Sequence, residues 1–280
     1  VNTLDHVLFF TTQGTYGYTP VYDVEESRWK EIGSHINSTI RISGEEKITD
    51  AFVLRSFATN AYMISVTKNG LVKKTAVREY EVSRNNKTMS NMKLLDGDAV
   101  VKTMVAYAYD EILIASKNGF VSRYPVSLIP ETSPRSKGVK AMNLVLDEIV
   151  SACISHGDAS QLIVFTDQCQ MKRIKLSDVD VTGRPTKGSM ICKKVKSKPY
   201  QIAHIALHDL NDELVIINEE TQKILAKDIS LMSKDATFSS PLHTTQDYYF
   251  LRTLAAVEQR ELPAIQEEKQ EFEEIELFED

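Results

Sequence analysis

The chain has 280 residues, 42% of them hydrophobic and 26% charged, which suits a globular protein with room for two average domains or one large repeat domain. No apolar run approaches the roughly 18 residues needed to span a bilayer as a helix. The opening Val1–His6 has no basic-then-apolar signal and the chain has no initiator methionine, so a piece of a longer, non-secreted protein is expected. Three cysteines, Cys153, Cys169 and Cys192, with no Cys-x-x-Cys pair, suggest neither a disulfide framework nor a zinc site and fit reduced thiols in the cytoplasm.

The net charge of −6 hides a segregation. Residues 55–207 carry 23 Lys/Arg against 13 Asp/Glu, whereas residues 258–280 carry ten acidic and two basic residues. A basic middle suggests a polyanionic partner.

In chain order, five segments repeat one pattern of apolar run, polar turn and second strand-like run. They begin at His6–Gly14, Tyr62–Gly70, Glu111–Gly119, Gln161–Cys169 and Glu213–Thr221. The turn positions 14, 70, 119, 169 and 221 recur at a period of about fifty residues. Asn69-Gly70 and Asn118-Gly119 are hairpin signals, since both residue types tolerate positive φ. A later apolar strand closes each repeat, at 47–54, 99–106, 148–155, 200–207 and 248–257. About four short strands per repeat match a propeller blade, and blades bury their faces against one another. The expected fold is all-β: five blades at about 4–54, 55–106, 107–157, 158–207 and 208–257, then an acidic tail over 258–280. An irregular β-sandwich is the competing architecture.

The segment Val-Leu-Phe-Phe-Thr-Thr-Gln-Gly at 7–14, its later echoes, and Lys-Asn-Gly-Phe-Val-Ser-Arg at 117–123 resemble the C-terminal domains of bacterial type IIA topoisomerase A subunits, gyrase and topoisomerase IV. The resemblance covers residues 4–257. It implies a β-pinwheel, in which blades exchange strands, with duplex DNA bent around a basic outer rim. It also implies a domain without a catalytic site or cofactor, because the DNA-cleaving tyrosine belongs to a separate N-terminal breakage-reunion domain. The implied protein partners are that domain and the ATPase B subunit, and the implied setting is chromosome decatenation at the nucleoid. Gyrase A subunits carry a Gln-Arg-Arg-Gly-Gly-Lys-Gly box in the first blade. Here Ser27–Gly33 stands in its place, and the nearest relic is Pro134–Lys140. That departure, with five repeats rather than six, favours the topoisomerase IV branch.

Candidate phosphate contacts fall into two sets. The first occupies one loop per repeat: Arg28 and Lys30; Arg84 and Lys87; Arg135, Lys137 and Lys140; Arg184 and Lys187. One cluster per blade along an edge suits backbone-directed wrapping. Gly33, Gly138 and Gly188 beside them would admit phosphate close to backbone amides. The fifth loop, Ser233–Phe238, lacks arginine and is expected to be a weak contact. The second set follows the turns: Lys73, Lys74, Arg123, Lys172, Arg173 and Lys175. Its competing role is defence of an exposed edge strand by charge. No recognition helix or zinc finger is visible, so base-specific reading is not expected.

Phosphate-loop, dinucleotide and His-Glu-x-x-His motifs are absent. His204 and His208 lie four apart in a strand-and-turn context that does not favour a metal pair, and Trp29 is expected to pack beside the rim. The tail mixes acid with Phe272, Ile275, Leu277 and Phe278. Its plain role is a disordered, solvated segment, and its sharper one a DNA mimic seated on the basic rim. A propeller serving as a protein scaffold is the functional rival, though tryptophan-aspartate repeats are missing.

Overall fold

The computed structural model describes all residues except 29, 45, 83–86, 158–160, 193–194, 196–198, 209, 211–212, 218–220, 242–248, 252–255 and 261–280. The first repeat forms β1 (His6–Thr11), β2 (Thr15–Pro20), a four-residue helix α1 (Ile36–Thr39) and β3 (Ile48–Leu54). The second forms β4 (Tyr62–Thr67), β5 (Leu71–Ala76), β6 (Met89–Ser90) and β7 (Val100–Ala106), and the third β8 (Glu111–Ser116), β9 (Phe120–Pro125), β10 (Val139–Lys140) and β11 (Ile149–Ser155). The fourth forms β12 (Gln161–Thr166), β13 (Gln170–Lys175), β14 (Ser189–Met190) and β15 (Ile202–Leu207). The fifth forms β16 (Glu213–Ile217), β17 (Thr221–Leu225), β18 (Ser240–Pro241) and β19 (Tyr249–Leu251), followed by β20 (Ala256–Val257).

The first four hairpins close over a threonine or serine. Thr67 Oγ1 accepts from the Leu71 N–H at 3.1 Å, and Ser116 and Thr166 do the same for Phe120 and Gln170. Both Asn and Gly tolerate positive φ, but the two Asn-Gly turns use that freedom at one residue. Only the glycine of Asn69-Gly70 and Asn118-Gly119 has positive φ, at 93° and 97°, and each glycine N–H returns to the carbonyl three residues earlier. This is a three-residue loop with glycine in the left-handed position. Cys169 adopts φ 54° at that place in the fourth repeat.

The sheets do not coincide with the repeats. Their strand orders are β20-β3-β1-β2-β6, β10-β5-β4-β7, β11-β8-β9-β14, β15-β12-β13-β18 and β17-β16-β19. The outermost strand of each of the first four sheets is therefore a two-residue piece donated by the following repeat. The donations to the first three blades end on the turn glycine of the receiving blade, with Met92 N–H donating to Gly14 O at 2.9 Å, Ala141 N–H to Gly70 O at 2.8 Å and Ile191 N–H to Gly119 O at 2.9 Å. A Cβ at position 119 would lie 2.7 Å from Cys192 Cβ, so the glycine also clears the arriving strand. Among the described residues the fifth sheet has three strands and receives none from the first repeat.

The cores lie between blades. Along β4, Met63 packs towards the first blade while Ile64 and Val66 pack with Ile112 and Ile114 of the third. Alternate side chains serve two interfaces, which explains the unbroken apolar runs. Each such aliphatic burial contributes about 1.5–3 kcal/mol. The inner strands β3, β7, β11 and β15 follow one another side by side. The chain end returns to the start, where β20 runs parallel to β3 with Val257 opposite Leu54. Residues 258–260, the first of the acidic segment, are bonded to the body: Tyr107 OH donates to Glu258 O at 2.6 Å, and Asn60 Nδ2 donates to Arg260 O. The rest of that segment, with Phe272, Ile275, Leu277 and Phe278, lies outside the described residues, as does Trp29.

Candidate nucleic-acid interface

After its second strand each repeat makes a short 3-10 turn and then a polar loop, which in the second to fifth repeats crosses to the preceding blade and becomes that blade's outermost strand. The turns are Val126–Leu128, Leu176–Asp178 and Ala226–Asp228. The loops carry the first set of cations. Arg135 and Lys137 are exposed on the third repeat's loop and Lys140 is exposed on β10; Lys187 is exposed before β14 and Lys87 before β6. The Lys187 ammonium sits 4.5 Å from the centre of the Phe120 ring of the receiving blade, an attraction that fixes its place without removing its charge. Arg184 is half-buried, with Nε donating to Leu128 O at 3.0 Å and an NH group to Lys140 O at 2.7 Å, so it braces the neighbouring loop. Arg84 lies outside the described residues.

Arg28 and Lys30 are exposed, but their loop differs from the others. The Glu31 carboxylate accepts from the Arg28 N–H at 2.9 Å, and Asp23, Glu25 and Glu26 stand close in sequence, so carboxylates offset these two cations locally. Lys93, which the repeat pattern did not single out, is exposed, and its N–H donates to Ser136 O at 3.1 Å. It thus joins the Arg135–Lys140 cluster. On the fifth repeat's loop Lys234 is half-buried and its ammonium donates to Asp178 O at 3.3 Å, placing a cation where no arginine stands.

The second set is not an outward-facing array. Lys73, Lys74, Lys172 and Arg173 are buried and Arg123 is half-buried, and only Lys175 is exposed. The Lys172 ammonium donates to the carbonyls of Lys234 and Ala236, each at 2.8 Å, and lies 4.8 Å from the Phe238 ring centre. Arg123 pairs with Glu111 at 2.6 Å and also donates to Leu176 O at 2.9 Å. Lys73 donates to Thr75 Oγ1, and burial pulls its ammonium down to about 7. Side chains committed inward in this way cannot neutralise phosphate, which corrects the expectation for all of this set except Lys175.

The glycines are corrected too. A Cβ at Gly138 would lie 2.7 Å from Val72 O, and one at Gly188 would collide with Val121 O, so their open space accommodates the preceding blade rather than phosphate. Gly33 stands clear, with Ser27 Oγ 3.7 Å from the Cβ position.

His204 is buried, its Nδ1 3.0 Å from Ser151 Oγ, and burial pulls its imidazole down to about 3. Burial pushes the Cys153 and Cys192 thiols up to about 12. Among the described residues no group of three or more His, Cys, Asp or Glu could hold a metal ion. What the outer edge can do chemically is present point charges, repeated blade by blade, to an extended polyanion.

Five repeats of one antiparallel sheet, four of them completed by a neighbour's strand, define a β-pinwheel of the propeller class. The chain belongs to the DNA gyrase C-terminal domain, beta-propeller family, which matches residues 5–55, 61–106, 110–156 and 160–209. It is 28% identical over 249 residues to the A subunit of DNA topoisomerase 4 from Staphylococcus epidermidis, covering 89% of this chain and 31% of that one. The same protein of Bacillus subtilis is 29% identical over 223 residues, covering 80% and 27%. The chain thus spans about a third of the length of the curated relatives it matches. The crystal structure of the C-terminal domain of DNA topoisomerase IV superposes with a TM-score of 0.81 at 30% identity, covering 86% of this chain and 76% of that one. The DNA gyrase A C-terminal domain shares the fold, with a TM-score of 0.75 at 18% identity over 89% and 82% of the two chains.

Proposed function

We propose that this domain binds duplex DNA on its outer edge without sequence preference, bends it, and presents it for ATP-dependent strand passage by a bacterial topoisomerase IV. The observation that carries the reading is the recurrence of exposed cations on the loops that become outermost strands: Lys87, then Arg135, Lys137 and Lys140, then Lys187. Phosphates are met by point charges of this kind, and among the described residues no helix longer than four residues accompanies them to read a groove. Relatives named as the A subunit of topoisomerase 4 support the choice of enzyme. In this reading the breakage-reunion domain of the same polypeptide cuts DNA, the B subunit hydrolyses ATP, and this domain contributes steering without a cofactor of its own. Decatenation and supercoil relaxation at the cytoplasmic nucleoid are the corresponding tasks; among the described residues no helix is long and apolar enough to cross a membrane. Bending a site of about 20–30 base pairs by about 40–90° costs on the order of 1–6 kcal/mol, so the number of loop contacts sets how far DNA follows the edge. With Ser27–Gly33 in place of a gyrase-type box, the bend is modest.

The test is a binding isotherm for two duplexes of unrelated sequence at two salt concentrations, with dyes on the duplex ends. Equal affinities, a steep loss with salt and shortened end-to-end distances are expected. A strong preference for one sequence, or affinity indifferent to salt, overturns the proposal. Constraint of supercoils as strong as that of a gyrase domain replaces it with a wrapping role.

A further inference from the structure

Three of the inward cations share one place in the blade. Lys74, Arg123 and Arg173 stand opposite Ile64, Leu113 and Ile163 in β5, β9 and β13. Each is bonded to the following repeat twice. Through the main chain, the carbonyls of Lys74, Arg123 and Arg173 accept from the N–H groups of Thr132, Thr182 and Met232 at 2.9, 2.8 and 2.8 Å. Those residues are the roots of the crossing loops, and a parallel bridge pairs each cation with the residue before the root. Through the side chain, each cation takes carbonyls in or beside the 3-10 turn just upstream of the loop. Lys74 Nζ donates to Val126 O at 3.2 Å; Arg123 reaches Leu176 O at 2.9 Å and Val179 O at 3.3 Å; Arg173 reaches Ile229 O at 3.1 Å and Lys227 O at 3.3 Å. Val126 O and Leu176 O already accept the turn's own bond from the Ile129 and Val179 N–H groups, so the cation takes the second lone pair of each, and a guanidinium can bridge two neighbouring carbonyls at once. In the first blade Tyr18 holds the equivalent place opposite Leu8, and it bonds His6 at 2.8 Å instead.

We propose that Lys74, Arg123 and Arg173 are positioning residues for DNA. Each holds the next repeat's crossing loop so that the loop's exposed cations lie along the path of the phosphates. The inference rests on the DNA-binding reading above and adds to it which buried groups set the contact geometry. A loop held in place loses less freedom on binding than a free one, so it binds more tightly with the same charges. The role also accounts for a cation repeated where no phosphate can reach it.

Arg123 gives the cleanest test, because its loop ends in the exposed Lys187 while Lys140 belongs to the preceding loop. In the 280-residue chain, R123M is expected to speed hydrogen exchange of the Thr182 amide by at least about tenfold, with the Thr132 amide unchanged. In wild type, K187A and K140A should each weaken DNA binding by about fivefold at low salt, the worth of one close charge contact in water. In R123M the cost of K187A should shrink towards nothing while that of K140A persists, a coupling that merely lowered stability would not produce. R123K serves if R123M fails to fold, since lysine does this work at position 74; it should show the same coupling at reduced size. Unchanged Thr182 exchange in the variants, or an undiminished K187A cost, overturns the proposal. If K187A and K140A are silent in wild type, the DNA reading fails, while faster Thr182 exchange would still uphold Arg123 as the residue that holds the loop.

Discussion

Replacing Arg135, Lys137 and Lys140 with alanine removes three exposed cations from one crossing loop and its outermost strand. If each neutralises one phosphate, the slope of log affinity against log salt becomes shallower by about 2.7, at about 0.9 per phosphate. Between about 50 and about 200 mM salt, wild type should then lose roughly 40-fold more affinity than the variant. The pairing of β10 with β5 uses main-chain groups, as does the bond that Arg184 makes to Lys140 O, and all survive the change. Stability should therefore stay within about 0.5 kcal/mol of wild type, as for other surface substitutions. Fluorescence anisotropy of a labelled duplex across a salt series measures the slope, and thermal melting checks the fold. An unchanged slope in a folded variant would show that phosphates do not lie along this loop.

Lys172→Met removes the donor to the carbonyls of Lys234 and Ala236 and should lower stability by about 1–3 kcal/mol in urea denaturation while leaving the salt slope of DNA binding intact. Gly188→Ala places a Cβ against Val121 O at φ 81° and should destabilise the third blade's exchanged edge by about 1–3 kcal/mol, read as a lower melting temperature. Burial lowers Lys73 from 10.5 to about 7. Between those values the unfolded chain holds a proton that the folded chain has released, so stability should rise with pH across that window and level off below pH 7. Lys73→Met should flatten that dependence in denaturation curves taken from pH 6 to pH 10, and an unaltered dependence would place its origin elsewhere.

Turns and long strands were legible because short apolar runs rich in β-branched residues end at turn positions that recur about every fifty residues, two of them marked by Asn69-Gly70 and Asn118-Gly119. Strand exchange was not, because a donated strand is two residues long and its partner lies in another repeat; nothing in Met89-Ser90 or Val139-Lys140 marks an inter-repeat pair. The inward cations were misread because lysine gives the same signal in a core as on an edge. A clue was present: adjacent residues of a strand point to opposite faces, so Lys73-Lys74 and Lys172-Arg173 could not both face one solvent edge. The glycine readings failed for a related reason, since Gly138 and Gly188 admit a close neighbour and the sequence does not say which. At the interface itself, the recurrence of arginine located the loops, but the brace formed by Arg184 and the addition of Lys93 depend on contacts between repeats.

In the proposed arrangement DNA lies along the edge built by the crossing loops. Lysine acylation with and without an excess of duplex, read residue by residue by mass spectrometry, tests it most directly. Lys87, Lys93, Lys137, Lys140 and Lys187 should react in the free protein and be protected by DNA. Buried Lys73 and Lys172 should stay unreactive throughout, and Lys68 and Lys117, paired with Glu148 on the turn side, should be unaffected by DNA. Protection of Lys68 and Lys117 with the loop lysines left reactive would put DNA on a different face and overturn the proposed path.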